Sequence, residues 1–473
     1  MNTDLVSAAA TGVVRPEDGS PNPESGAGSR PAEDSPSPRL TGCRRRAAGF
    51  TLAACLWLGA LPVLPVPAEP EVVGPMVGHT SHEHAHLWMR PGVAGEVVLE
   101  VFCGVDGQQV ARLTDDSSEA MDFTVRWRID GLAADHPYRY RISWDGGRVG
   151  QDAELGFRTW PAPEQPSRLV LAFGSCAHSR PTEIYRTMEA KGAQALVLLG
   201  DTPYIDNPDR EINRAKHRQF LTQPEIASFI ARHPTWDTWD DHDFGLNDSH
   251  GANTPTRLSN REAFIEYRAQ EHFGQQGEGI YTSFRAGGVE VFMLDARYFA
   301  RTEASPVDPE KLTCLGGRQW NWLLEHLEQS DAPFKILATG QVWFEKANRE
   351  IDHWHTYRHE RDALWAFIEE RGIPGVILMG GDIHASRHMI WQGAAGYDLH
   401  EFTTSPLHER VIPGLNSPHE FLVWGEAIPE IFLRLTVDTT VEPAVLEADM
   451  VTIDGETVYS VRISRDELEP GGE

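Results

Sequence analysis

The sequence has 473 residues, 40% hydrophobic and 24% charged, enough for roughly two to three domains with a buried core. A small stapled peptide and a wholly disordered chain are both excluded. Asp and Glu outnumber Lys and Arg by 70 to 42, a net charge of -28, so duplex nucleic acid would be repelled, and a phosphate-ester substrate would need a cation to invert the potential locally.

Residues 1–42 are rich in Ser, Pro, Gly and Glu and read as a disordered tail. Residues 43–68 are signal-like: Arg44-Arg45-Arg46, the apolar run Ala47 to Val66, then Val66-Pro67-Ala68, whose small residues suit a signal peptidase. Export to a periplasmic, cell-surface or extracellular location is therefore expected. Pro62, Pro65 and Pro67 argue against a stable membrane span. The paired arginines hint at twin-arginine export, although the residues after them fit loosely. Leu52-Ala53-Ala54-Cys55 mimics a lipoprotein box, which leaves lipidation at Cys55 open. The 5 cysteines include no CxxC pair, so disulfides do not organise the fold.

Residues 69–160 carry strand signals without a helical period: His86 to Met89, Val97 to Phe102, Phe123 to Trp127 and Tyr138 to Ile142, separated by turns. A small antiparallel β-sandwich domain is expected there. From 161 to 473, after the linker Trp160-Pro161-Ala162-Pro163, apolar strands alternate with amphipathic helices, the grammar of a layered α/β domain. Strands are expected at Leu169 to Phe173, Ala195 to Leu199, Val289 to Leu294, Lys335 to Ala338 and Gly375 to Met379. Helices are expected at Arg261 to Phe273, Arg318 to Glu328 and Tyr357 to Glu370, and β alternation returns from Ile431 through Ile463.

Four polar clusters each follow an apolar strand: Gly174-Ser175-Cys176, Gly200-Asp201-Thr202-Pro203-Tyr204, Trp239 to Asp248, and Gly380-Gly381-Asp382-Ile383-His384. They should converge at one sheet edge, outside the carboxyl ends of the strands. Together they offer thiolate, carboxylate, phenolate, amide and imidazole, which suits metal better than a nucleophilic triad. Singly, each has a plainer explanation: Cys176 as a buried apolar cysteine, Asp201 as a cap, Tyr204 as core. Trp239-Asp240-Asp241-His242-Asp243 resists one, because acids stacked around a histidine are costly unless cations offset them. If the strand before Asp382-Ile383-His384 continues extended, the Asp382 and His384 side chains face the same way and can bind one metal.

Other patterns are weaker. Asp243-Phe244-Gly245 matches a kinase triplet but lacks a Gly-rich phosphate loop. His82, His84 and His86 alternate along a predicted strand, and His355/His359 have i, i+4 spacing; either group could bind zinc, but neither has an evident carboxylate or cysteine to complete a site.

With GSC, GDxPY, WDDHDFGxND and GGDxH in that order, the chain resembles the alkaline phosphatase D (PhoD-like) family, relatives of the purple acid phosphatases among metallophosphoesterases. The resemblance runs from about Glu71 onward and takes in Leu294 to Tyr298, Gly340-Gln341 and Glu401 to Pro406. It implies an α/β fold: a layered α/β/β/α metallophosphoesterase-like catalytic domain preceded by a small Fn3-like β-sandwich. It also implies a phosphoric ester hydrolase for monoesters and diesters that uses Fe(3+) and Ca(2+), with Zn(2+) or Mn(2+) as substitutes. Cys176, Asp201, Tyr204 and His384 would hold the iron. Asp201 would bridge to calcium, with Asp382 and an oxygen from Asp241 or Asn247 completing that shell. Thiolate and phenolate suit a ferric ion, carboxylate and amide oxygens suit calcium. Two ions about 3.5–4 Å apart would clamp the attacking and leaving oxygens, and hydroxide attack on phosphorus follows. His242 is then a candidate proton donor, and Arg297 a candidate for steadying a phosphate oxygen. A phospholipase D-like or cell-wall phosphodiester hydrolase is the alternative activity. A binding module with a degenerate α/β domain is disfavoured, since no motif residue is missing. No signal of oligomeric state is present.

Overall fold

The computed structural model describes residues 71–150 and 155–471; the expected tail at 1–42 and the signal-like segment at 43–68, Cys55 included, lie outside them. Eight strands come first: β1 (Val73–Thr80), β2 (His84–Arg90), β3 (Gly95–Cys103), β4 (Gln109–Ser117), β5 (Val125–Asp130), β6 (Pro137–Trp144), β7 (Gly147–Val149) and β8 (Gly156–Arg158). They form one sheet in the order β1-β2-β5 and another in the order β4-β3-β6-β7, with β8 also on β6. Alternate residues point inward: Leu87 and Met89 of β2, Val97, Leu99 and Val101 of β3, and Tyr138, Tyr140 and Ile142 of β6 share one core. Phe123, expected in a strand, instead sits at φ 61° ahead of β5.

The α/β portion follows as β9 (Arg168–Gly174), α1 (Ile184–Ala190), β10 (Ala195–Leu199), α2 (Arg210–Leu221), α3 (Pro224–Ile230), β11 (Thr235–Thr238), α4 (Asp241–Phe244) and α5 (Arg257–Glu266). Next come β12 (Thr282–Ala286), β13 (Val289–Met293), α6 (Gly316–Gln329), β14 (Phe334–Ala338), α7 (Arg358–Glu370), β15 (Val376–Gly380), β16 (Ser386–Trp391), β17 (Leu399–Thr403) and β18 (Leu422–Glu426). The last strands are β19 (Ile431–Asp438), β20 (Val445–Thr452) and β21 (Thr457–Ser464).

These strands build two sheets, in the orders β11-β10-β9-β19-β20-β21 and β12-β13-β14-β15-β17-β16-β18. Period-2 alternation explains the layering. Leu171 and Phe173 of β9 and Val197 and Leu199 of β10 join Val291, Ile336 and Leu378 of the other sheet in one core. The intervening Ala172, Leu196 and Leu198 face Ile184 and Met188 of α1 and Phe229 of α3. Leu323 of α6 and Leu364 and Ile368 of α7 belong to the first core. The returning β segment does not form a sheet of its own: β19 runs antiparallel to β9.

The first strands lie tightly on the α/β portion. His79 N–H donates to Ala269 O at 2.8 Å, Trp88 Nε1 to Glu266 O at 2.7 Å, and the Tyr140 hydroxyl to Ala231 O at 2.5 Å. A Cβ at Gly78 would lie 2.1 Å from Ala269 O, so only glycine allows this approach.

Candidate metal centre

Three of the four polar clusters leave the carboxyl ends of neighbouring parallel strands: Cys176 after β9, Asp201 and Tyr204 after β10, and the acidic loop after β11. The fourth, with Asp382 and His384, follows β15 of the other sheet. The expectation of a single sheet edge is thus corrected: the site lies where the loops of two sheets meet. Gly381 permits the meeting, because a Cβ there would come within 2.6 Å of the Ser175 side chain and 3.0 Å of Leu199 O. Nor is Asp382-Ile383-His384 extended.

Cys176, Asp201, Asp382 and His384 have φ of 57°, 55°, 72° and 52°. Left-handed backbone costs a non-glycine residue about 1 kcal/mol or more and persists only where the surroundings impose it. All four of these residues carry a group able to bind a metal. The ligand atoms of Cys176, Asp201 and His384 lie within 4.8 Å of one another, as do those of Asp201, Asp241 and His242. The Cys176 thiol stands 3.6 Å from Asp201 Oδ2, and the Tyr204 hydroxyl 2.8 Å from His384 Nε2. Ser405 ties the group together: its Oγ accepts from His384 N–H at 3.0 Å and donates to Cys176 Sγ at 3.2 Å.

Above these atoms opens a cavity of about 360 Å³ lined by Asp201, Tyr204, Asp206, Asp241, His242, Asn247, Lys346, Asp352, Asp382, His384 and Arg410. Asn247 is exposed at its margin, whereas Asp241 is buried. The His242 Nδ1 meets Asp206 Oδ1 at 2.6 Å. Burial opposes a charge on His242, but Asp206, Asp201 and Asp241 outweigh it and lift the imidazole to about 10. Burial also pushes up the Cys176 thiol, the Tyr204 phenol and the Asp201 and Asp382 carboxyls, and lowers His384 to about 4.

The donors fit a metal. Asp201 Oδ1, Asp241 Oδ1 and His384 Nδ1 are buried without a hydrogen-bond partner, and buried polar atoms are seldom left so. An ion would satisfy them, and its charge would allow the crowded carboxyls to ionise.

Arg297 is placed differently from expectation. It is fully buried, does not line the cavity, and gives Nε to Asp240 Oδ1 at 2.6 Å, Nη1 to Ser249 O at 3.2 Å and Nη2 to Asp352 Oδ2 at 3.1 Å. It ties the acidic loop to Asp352, and its full burial keeps it off the cavity in which a phosphate would sit. Sequence reasoning missed Lys346, whose Nζ lies 2.6 Å from both Asp352 Oδ1 and Asp382 Oδ2, and His408, 3.2 Å from the Tyr204 hydroxyl. His408 closely follows the quoted run Glu401 to Pro406, a signal that could have found it; Lys346 lies in a loop without periodicity and carries none.

A family model described as PhoD-like phosphatase matches residues 171–423. Alkaline phosphatase D of Bacillus subtilis (strain 168) is 24% identical over 408 residues, covering 72% of this chain and 68% of that protein. A solved structure of PhoD superposes with a TM-score of 0.69 at 20% identity, over 84% of this chain and 91% of its own. Purple acid phosphatase PPD1 from yellow lupin (Lupinus luteus) seeds gives 0.62 at 12% identity, over 84% and 74%. The two structures establish a metallophosphoesterase-like fold of mixed α/β sheets. Within it, the chain belongs to the PhoD-like phosphatase family and is a phosphoric ester hydrolase.

Proposed function

We propose that the protein is an exported, metal-dependent alkaline phosphatase/phosphodiesterase whose centre is held by Cys176, Asp201, Tyr204 and His384 on one side and by Asp201, Asp241 and Asp382 on the other. The carrying observation is the pair of buried oxygens, Asp201 Oδ1 and Asp241 Oδ1, that lack a hydrogen-bond partner, the second with Arg297 Nη2 no nearer than 3.7 Å, set in an acid-lined cavity where a phosphate ester would otherwise be repelled. Thiolate and phenolate, both strongly donating anions, favour Fe(3+) at the first position, and the all-oxygen donors favour Ca(2+) at the second. Burial with an orphaned oxygen favours Asp241 over the exposed Asn247 as the loop's ligand. We assign the sandwich to 69–160 and the catalytic domain to 161–473. Among the described residues no helix is long and apolar enough to cross a membrane, and the signal-like segment supports export.

When bound, the two ions supply Lewis acidity, activate water and offset the charge of the phosphate. The chain's own residues do the rest. Asp206 orients the His242 imidazole and favours its protonated form, which would give a proton to the leaving oxygen. Arg410, exposed on the cavity lining, takes the phosphate-steadying role first expected of Arg297. His242→Ala is expected to slow an ester with an alkyl leaving group about 10²–10⁴-fold. It should slow a p-nitrophenyl ester far less, because that leaving group departs without a proton. Equal losses on both, in paired initial rates, would remove His242 from this role.

The test of the activity is initial rates on p-nitrophenyl phosphate and bis(p-nitrophenyl) phosphate at alkaline pH with calcium. Faster monoester turnover supports a phosphate-releasing phosphatase. A strong diester preference turns attention to lipids and cell-wall polymers, with choline release from phosphatidylcholine as the next assay. Inactivity on both overturns the proposal.

A further inference from the structure

We propose that His79, His84 and Glu271, with His86 beside them as a fourth ligand, form a second metal site, suited to a tetrahedral transition ion such as Zn2+, where the first strands meet the α/β portion. His79 comes from β1, His84 and His86 from β2, and Glu271 from the segment after α5. None of them lines the strand-end cavity, so the site is independent of the hydrolytic centre and of the function proposed for it.

For His79, His84 and Glu271, whose ligand atoms lie within 4.8 Å of one another, the spacing is that of ligands around one ion. His79 Nε2 lies 3.2 Å from Glu271 Oε2, and His84 Nε2 lies 3.3 Å from Glu271 Oε1. Two donors each about 2.0–2.1 Å from zinc at a tetrahedral angle stand about 3.3 Å apart. Ser81 Oγ meets His84 Nδ1 at 2.8 Å, the outer contact that fixes a ligating ring and leaves its other nitrogen free, and His84 Nε2 indeed has no hydrogen-bond partner.

His86 supplies the independent sign. It is 7% exposed, yet neither ring nitrogen has a partner. Its ring lies 5.8 Å from that of His79 and 6.0 Å from that of His84. An imidazole buried with both nitrogens unmet is costly, and an ion held by His79, His84 and Glu271 would remove that cost once the His86 ring turns towards it. Two further contacts bear on the cluster: Arg128 touches Glu271, and Trp236 Nε1 approaches His79 Nδ1 at 3.4 Å. Arg128 Nη1 donates to Glu271 Oε1, the oxygen that faces His84, and so balances part of the carboxylate's charge; an ion would share that oxygen with it.

The alternating histidines of the sequence thus gain a carboxylate that lies far along the chain. His82, the residue that the alternation also included, falls in the turn before β2. An ion here would pin two distant segments together, beside the glycine contact between Gly78 and Ala269.

The test uses the full chain with Cys176→Ala and Asp201→Ala, which disables the strand-end site, and takes Co2+ and Zn2+ as probes. One equivalent of Co2+ is expected to bind with the strong visible absorption of a four-coordinate ion and no thiolate charge-transfer band, and Zn2+ should displace it. Adding Glu271→Gln or His86→Ala should weaken Co2+ binding more than about tenfold, since even outer partners of a metal site are worth 10–100-fold. Absence of the four-coordinate spectrum, or unchanged binding in both added variants, overturns the proposal. If the added variants do not fold, the thermal midpoint of the parent double variant decides: a rise with Zn2+ that a chelator reverses supports the site, and no zinc dependence overturns it.

Discussion

Asp201→Ala is expected to lose metal and turnover together. Asp201 is shared by both groups of converging donors, one with Cys176 and His384, the other with Asp241 and His242. Its Oδ1 is buried and unpartnered, while Oδ2 faces the Cys176 thiol. Alanine therefore removes the acid common to both groups, which would serve both ions. Lewis-acid stabilisation is worth several kcal/mol, and about 1.4 kcal/mol corresponds to a factor of ten, so turnover should fall by about a thousandfold or more. Elemental analysis of the purified variant, beside initial rates on bis(p-nitrophenyl) phosphate, checks both halves. Rates within tenfold of the parent chain would sink the two-ion reading.

Arg297→Met is expected to act on stability before it acts on catalysis. The guanidinium is fully buried among Asp240, Asp241 and Asp352, at 2.6, 3.7 and 3.1 Å. Methionine fills much of the same space but leaves those carboxylates without their cation. Breaking a buried ion pair by removing one partner costs about 3–5 kcal/mol, and the urea midpoint should drop accordingly. A raised KM with an unchanged midpoint would instead return Arg297 to the phosphate.

The candidate site was legible where chemistry is written locally. Cys176, Asp201, Tyr204 and His384 each sit just past a run of apolar residues, and strand ends of that kind can be read from composition alone. The division between two sheets was not legible, because a strand followed by a polar loop looks the same in either. The posture of Asp382 and His384 was hidden for a related reason: left-handed φ at both residues is imposed by tertiary packing and contradicts local preference. Arg297 misled because a cation near a phosphate motif invites a substrate contact, whereas its fate is decided by three acids that only folding brings to it. Among the elements, β10 and α7 fall almost where expected, since each has an unbroken period. β1 carries Gly and Pro, and β4 is largely exposed, so neither signals itself in the same way.

The pairing of β19 with β9 bears on synthesis. Cys176 lies just past β9, but the edge that β9 offers to β19 is closed only by a strand that leaves the ribosome much later; Ser167 and Thr439, 272 residues apart, bond across that seam. Until then the chain presents an open, apolar strand edge, a template for mispairing. Such long-range closure is slow and exposes the nascent protein to aggregation. Chaperone supply during translation, rather than the durability of the finished fold, is thus expected to limit the yield of this protein when it is overproduced.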